Sequence, residues 1–250
     1  MLRSMYSGVS GMKNFQTKLD VIGNNISNVN TIGYKKSTIN FQDLMSQNMS
    51  NSGSNPMQVG LGSSTSSINV VHTPGSSMST GVGTDLTVSG DGFFVVGSNE
   101  DPRLTRSGSF TVDDDGVLKT TQGLSVLDSE GKEIKIDEDY RSSFIINSRG
   151  EIKVPGEDTA TFPKLGIVTV DNPSSLRKLG GSMYGKPTDA PIRNAEDAKV
   201  AIGSGQLEMS NVDLTEEFTE MIIAQRGFQA NSRTITTSDE LLQEVVNLKR

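Results

Sequence analysis

Only a few places in this chain carry residue types that could do chemistry. The single His, His72 in VVHTPG, could serve a Ser-His-Asp relay, since Ser and Asp are plentiful. No G-x-S-x-G elbow accompanies it, and a lone His is usually structural. With one His and no Cys, the usual nitrogen and sulfur ligands for zinc are missing. TVDDDGVLKTTQ invites a calcium-loop reading. Setting Gly116 as the invariant Gly puts Thr111 and Gln122 where the loop needs an Asp and a bidentate Glu. Asp115-Gly116 therefore reads as a turn between strands. GVGTD and GSGQ lack the strand-loop-helix context and the Lys of a phosphate cradle. Glu216 and Glu217 fall where a helix should start, and there they complement its dipole. The expectation is a protein with no catalytic, cofactor or metal site, and so not an enzyme.

The elements that would position such residues are also unlike those of an enzyme. Of 250 residues, 33% are hydrophobic and 5% aromatic, with no Trp. That is thin for a large enzyme core. Gly, Ser, Thr and Asn suit short strands with many turns. A net charge of −7 disfavours nucleic acid as a partner. No stretch approaches the roughly 18 apolar residues of a membrane span. The opening MLRSMYSGVSGMKNFQ has neither an apolar block nor a small-residue cleavage site, so no cleaved signal peptide is expected.

The first 45 residues predict a helix with a narrow seam. Met5, Met12, Leu19 and Ile26 recur at sevens, and Gly8, Phe15, Ile22 and Val29 follow three residues later. Gly33 should end the helical region. Four Asn lie between Leu19 and Ser37, although Asn competes for the helix backbone. The last zone starts at Asp213, a helix cap with Glu216 as capping-box partner. Leu214, Met221, Phe228, Ile235 and Leu242 then recur at sevens, thickened by Phe218, Ala224, Val245 and Leu248. One narrow stripe on a helix of that length calls for other helices.

Between these ends, residues 46–74 are rich in Ser, Asn and Gly and read as a linker. Residues 75–205 are strand-like. TDLTVSGDGFFVVG turns at Asp91-Gly92, SGSFTVDDDGVLKTTQGLSVLDSEGKEIKI at Asp-Gly and Glu-Gly pairs, and SFIINSRGEIKV at Arg149-Gly150. The fold class predicted is α+β. Long terminal helices at 1–45 and 206–250 form an antiparallel coiled-coil pair, and an all-β domain, sandwich- or barrel-like, is inserted between them. Buried amides need partners. In a tube of subunits, the amides of the Asn-rich first helix could bond across copies and select alignment, as a buried Asn does in coiled coils.

These segments also resemble a known family. MLRSMYSGVSGMKNFQTKLDVIGNNISNVNTIGYKKS is similar to the N-terminal signature of bacterial flagellar rod and hook proteins, and SNVDLTEEFTEMIIAQRGFQANSRTITTSDELLQEVVNL to their C-terminal signature. DLTVSGDGFFVV with RLTRSGSFTVDDDGVL resembles their shared β segment. The resemblance implies a homopolymer in a helical tube, with terminal helices inside and the β-domain outside. It implies cap, junction and other axial proteins as partners, and passage through the flagellar export apparatus to the cell exterior. The assembly interface would draw on Met5, Met12, Phe15, Leu19, Ile22, Asn24, Asn25, Ile26, Asn28 and Val29. From the other end it would draw on Leu214, Phe218, Met221, Phe228, Asn231, Ile235, Leu242 and Val245. YSGVSGMKNFQTKLDVIGNNI is most similar to short hook proteins of Gram-positive bacteria, so the expected place is the hook, a universal joint. The distal rod, a drive shaft, is the alternative. A secreted coiled-coil adhesin is the competing class, and a hydrolase using His72 a third.

Overall fold

The computed structural model describes residues 2–50, 57–98, 101–136, 144–153, 163–187 and 190–248. The chain divides into two compact units. Unit 1 combines 1–27, 37–71 and 212–250, and unit 2 combines 28–36 and 72–211.

Unit 1 is built on two helices, α1 (Leu2–Ser27) and α2 (Leu214–Leu248). The partners along them run in opposite directions. Gly8 lies against Ile235, Gly11 against Asn231 and Gly227 against the Phe15 ring. Lys18 pairs with Glu220 at 2.5 Å. Glycine permits this closeness, because a Cβ at Gly11 would stand 3.0 Å from the Asn231 amide. Asp213 caps α2 as predicted, its Oδ1 accepting the N–H of Thr215 at 2.8 Å and of Glu216 at 3.4 Å.

The rest of unit 1 departs from the linker reading of residues 46–74. Strand β1 (Ser37–Asp43) pairs antiparallel with β4 (Ser63–Val70), and β2 (Gln47–Ser50) with β3 (Met57–Val59). Residues 51–56 of that expected linker lie outside the described residues. The ribbon leans on α1. Asn14 donates to Ser63 Oγ at 2.7 Å, the Phe15 and Phe41 rings stand 6.4 Å apart, and Gly62 sits on Ser10. SSTSSINV hid the strand because its alternation is mostly among hydroxyls. Such a strand draws its stability from ladder hydrogen bonds and a supporting helix rather than from an apolar face.

Helix α1 also stops earlier than Gly33. The Asn28 carbonyl accepts from Thr31 N–H, and the chain turns into unit 2. Gly33, at φ +66°, lies on the Arg106–Ser107 backbone, where a Cβ would come within 2.5 Å. It marks a close crossing, and any other residue would be strained there.

Unit 2 holds strands β5 (Ser77–Ser79), β6 (Leu86–Ser89), β7 (Gly92–Ser98), β8 (Asp101–Thr105), β9 (Phe110–Val112), β10 (Leu118–Thr120), β11 (Ile145–Ile146) and β12 (Ile152–Lys153). β13 (Ile167–Thr169), β14 (Lys178–Gly180), β15 (Met183–Gly185), β16 (Ala201–Ser204) and β17 (Gln206–Glu208) complete it. Five of them form one antiparallel sheet in the order β13-β7-β8-β15-β14. GFFVVG reads as a continuous apolar run because both faces of β7 are covered. Phe94 and Val96 enter a core with Leu86, Phe110, Ile134 and Ile167, while Phe93 and Val95 enter a second with Leu104, Val168 and Tyr184.

The hairpins at Gly116 and Gly150 form as predicted, each glycine at positive φ between paired strands. The turn before β7 uses Gly90 at φ +118° in place of Asp91-Gly92. Residues 28–36 and 206–211, expected with the helices, fold with the strands instead. β17 pairs with β5, and Gly33 N–H donates to the Glu208 carbonyl at 2.8 Å.

Gly108 gives a test of this packing. A Cβ there would stand 1.7 Å from the Leu86 carbonyl oxygen, while one at Gly83 would meet nothing within 4 Å. Gly108→Ala is expected to lower the stability of unit 2 by about 3 kcal/mol. Gly83→Ala should change it by no more than about 0.5 kcal/mol. Urea midpoints of the two variants check this.

Candidate assembly surface

Helix α1 is enclosed on two sides. Asn14, Ile22 and Asn25 are buried, and Met5, Met12, Phe15, Leu19 and Ile26 are half-buried under α2 and the β1–β4 ribbon. Its outward stripe carries Tyr6, Val9, Lys13, Gln16, Asp20 and Asn24. Helix α2 presents only one face to α1. Glu217, Ala224 and Ser238 are buried, and Met221, Gly227, Asn231, Ile235 and Leu242 half-buried. The seam at sevens thus closes mainly inside the subunit.

Among the polar residues that remain on α2, a set of apolar side chains is exposed. Leu214, Phe218, Ile222 and Ile223 stand out near its start, Phe228 lies at the margin, and Leu241, Val245, Val246 and Leu248 occupy its last turns. Phe218 and Ile222 are each about half exposed. Isolated exposed apolar residues are unremarkable, but apolar side chains recurring at helical spacing on an uncovered face mark an interaction surface. Of the residues expected at the interface, Leu214, Phe218, Phe228, Val245 and Asn24 are exposed. Ile22 and Asn25 are covered within the chain. Ile222, Ile223 and Leu241 stand exposed outside that expected set, because a seven-residue repeat picks out one stripe and α2 carries a second between its members.

The amides of Asn25, Asn28 and Asn231 act within the subunit. Asn25 clamps the start of β1: its Nδ2 donates to the Ser37 carbonyl at 2.9 Å, and Ser37 N–H donates to its Oδ1 at 3.0 Å. The same Nδ2 donates to Glu217 Oε2 at 3.2 Å. One buried amide therefore joins α1, β1 and α2, and the carboxylate of Glu217 is satisfied although it is 5% exposed. Asn28 accepts from the Thr31 hydroxyl at 3.1 Å, next to Val29 in the turn after α1. Asn231 donates to the Gly227 carbonyl at 3.0 Å, beneath Gly11.

The remaining chemistry-bearing residues lie in unit 2. His72 sits in an aromatic corner, 5.8 Å from the Phe93 ring centroid and 5.3 Å from that of Tyr184. Among the described residues no side chain hydrogen-bonds either ring nitrogen, the Pro173 backbone being the polar group that faces it, so no acid or nucleophile is aligned on it. Burial pushes His72 down to about 4 and Tyr184 up to about 12. Asp113–Gly116 is a hairpin turn, with Gly116 N–H on the Asp113 carbonyl at 2.9 Å. Among the described residues no group of three His, Asp or Glu side chains could hold a metal ion. No helix described is long and apolar enough to cross a membrane.

Three family models match the chain. One described as flagella basal body rod protein covers residues 5–35, the flagellar hook protein FlgE/F/G D1 domain covers 87–154, and the flagellar basal body rod FlgEFG protein C-terminal covers 204–248. The flagellar basal-body rod protein FlgG of Bacillus subtilis is 48% identical over 265 aligned residues, spanning 100% of both chains. The chain belongs to the flagellar rod and hook protein family.

The same rod protein of Agrobacterium fabrum is 33% identical over 99% of this chain and 100% of its own. The flagellar hook protein FlgE of Treponema pallidum is 42% identical over 64% of this chain and 37% of its own. The chain is an axial structural subunit of the flagellar rod and hook family, and this family carries no catalytic motif. That displaces both the adhesin and the hydrolase readings.

Asn25 provides the test of the local geometry. Asn25→Ala leaves the Ser37 backbone and Glu217 short of a partner, and is expected to cost about 2 kcal/mol. Asn25→Asp should cost more, since a second carboxylate would face Glu217. Thermal unfolding of the two variants at neutral pH ranks them.

Proposed function

We propose that the chain is a rod subunit, a segment of the flagellar drive shaft, and not the hook subunit expected from its opening residues. The observation that carries this is length. The rod protein of Bacillus subtilis aligns with the whole chain and is itself wholly covered. Of the hook protein of Treponema pallidum, by contrast, 37% is covered. A hook protein of Borreliella burgdorferi aligns from end to end, but at 29% identity over a 441-residue alignment that this chain fills only with gaps. The similarity of YSGVSGMKNFQTKLDVIGNNI to hook proteins reflects a terminal helix that both kinds of subunit carry.

In this reading copies of the chain stack into a helical tube, and the faces of α2 that α1 leaves bare are what they bury. Leu214, Phe218, Ile222 and Phe228 would form one part of the contact, and Leu241 and Val245 another. Tyr6 and Val9 would add the outward stripe of α1. Each such side chain, fully buried, contributes about 1.5–3 kcal/mol. A handful per subunit, repeated around a lattice, is enough to hold a tube. Other flagellar axial and junction proteins would meet the tube at its ends, and the subunits would reach it through the export apparatus.

Electron microscopy of polymer grown from purified chain tests the assignment. Straight, stiff tubes are expected, and uniformly curved tubes would return the chain to the hook. The double variant Phe218→Asp/Ile222→Asp should keep the far-ultraviolet dichroism and melting temperature of the monomer while tube formation is lost. Tubes that persist in this variant would remove that face of α2 from the contact.

A further inference from the structure

Unit 2 buries an ion cluster that nothing in an assembly role explains. Glu208 of β17 meets Lys35 Nζ at 2.5 Å and Arg106 Nη1 at 3.4 Å. All three side chains are sealed from solvent, Lys35 at 0% exposure, Arg106 at 2% and Glu208 at 3%. Gly75 N–H donates to Glu208 Oε1 at 3.1 Å. Arg106 donates to the carbonyls of Val88 and Gly90 at 3.3 and 2.7 Å and lies 5.0 Å over the Phe93 ring. Among the described residues Glu208 is the one carboxylate within ion-pair reach of either cation. The cluster therefore holds a net positive charge, and a buried pair that loses its balance is costly.

Three separate stretches of unit 2 are tied together here. Lys35 Nζ also donates to the Thr73 carbonyl at 2.7 Å, and Gly33 N–H to the Glu208 carbonyl at 2.8 Å. Asn211 accepts from Lys36 N–H at 2.8 Å and donates to Thr73 Oγ1 at 2.9 Å. Met209 N–H donates to the Ser76 carbonyl at 2.9 Å. Residues 33–36, 72–76 and 206–211 are thereby held in one knot. His72 lies within it, on Phe93, which also carries Arg106.

The groups that face His72 come from several elements. Lys35 belongs to the 28–36 segment, Arg106 follows β8, and Lys178 belongs to β14, where it sits 4.3 Å over the Tyr34 ring. Tyr184 of β15 packs on the imidazole, and burial pushes its hydroxyl up to about 12. Glu208 is the balancing carboxylate, already committed to two cations.

We propose that this knot is an acid-released clasp. A proton on His72 adds a cation beside Lys35, Arg106 and Lys178, with one engaged carboxylate to oppose them, and loosens the three stretches that Glu208 gathers. Burial, then the charges of Lys35 and Arg106, outweighs the Pro173 backbone, which favours the proton, and holds the imidazole at about 4, below its ordinary 6.5. The folded state thus binds fewer protons than the unfolded chain between these values. The clasp is at full strength above 6.5 and weakens as pH falls toward 4. This inference stands apart from the rod assignment, since it concerns the interior of unit 2 alone.

Hydrogen exchange of the full chain, corrected for intrinsic rates, reads the clasp directly. Protection at residues 33–36, 72–76 and 206–209 is taken relative to β7 at about pH 7 and about pH 4. The expected result is at least about a tenfold relative loss in acid. His72→Phe keeps an aromatic ring in the corner but takes no proton, and its relative protection should be the same at both pH values. His72→Gln, smaller and neutral, should behave alike if the Phe variant does not fold. An acid loss that persists in the neutral variants would overturn the proposal, as would a wild-type chain whose three stretches and β7 respond in parallel.

Discussion

The contact between α1 and α2 is the constraint on which unit 1 depends. Neither helix has an apolar face broad enough to be stable alone in water, and each uses its narrow seam on the other. Glycine at positions 8, 11 and 227 brings the two axes close enough for Ile235, Asn231 and Phe15 to cover backbone directly. The ribbon β1–β4 then has a surface to rest on, and polar residues that could not build a core of their own become a second wall around α1. Because the seam is consumed in this way, only the other faces of α2 and the outward stripe of α1 remain for anything else.

Buried polar groups do two different jobs in this molecule. In unit 1 the Asn25 amide is neutral and locates three elements at once. It binds both hydrogen-bonding groups of Ser37 and still reaches Glu217. Neutral donors and acceptors specify geometry at modest desolvation cost. In unit 2 the same task of joining distant stretches falls to full charges, Lys35, Arg106 and Glu208. A charged junction is more exacting, because any change in its charge count is felt in a medium that screens poorly. An uncharged His72 beside it is part of that balance.

For an axial subunit this division is useful. The unit made of helices offers apolar faces whose burial is non-directional and additive, which suits repeated contacts along a tube. The unit made of strands relies on ladders, two opposed cores and an ion cluster. It is internally specified, and β7 contributes to both cores at once.

Much of this was legible in the linear chain. Period decides secondary structure wherever apolar residues mark it. Both helices, the Asp213 cap and the hairpins at Gly116 and Gly150 are therefore written locally, in spacings of seven, three and two. So is membership of the family, whose motifs lie at both ends and in the middle. What the chain alone could not decide is which surfaces meet. SSTSSINV becomes a strand only because a helix lies under it. Asn25 faces inward because Ser37 returns to it 12 residues later. The seam closes within the subunit because α2 arrives antiparallel from the far end of the sequence, and that leaves Phe218 and Ile222 bare. Lys35, Arg106 and Glu208 stand up to 173 positions apart. No local pattern signals them, since a charge gives no sign of its burial until the fold removes water from around it.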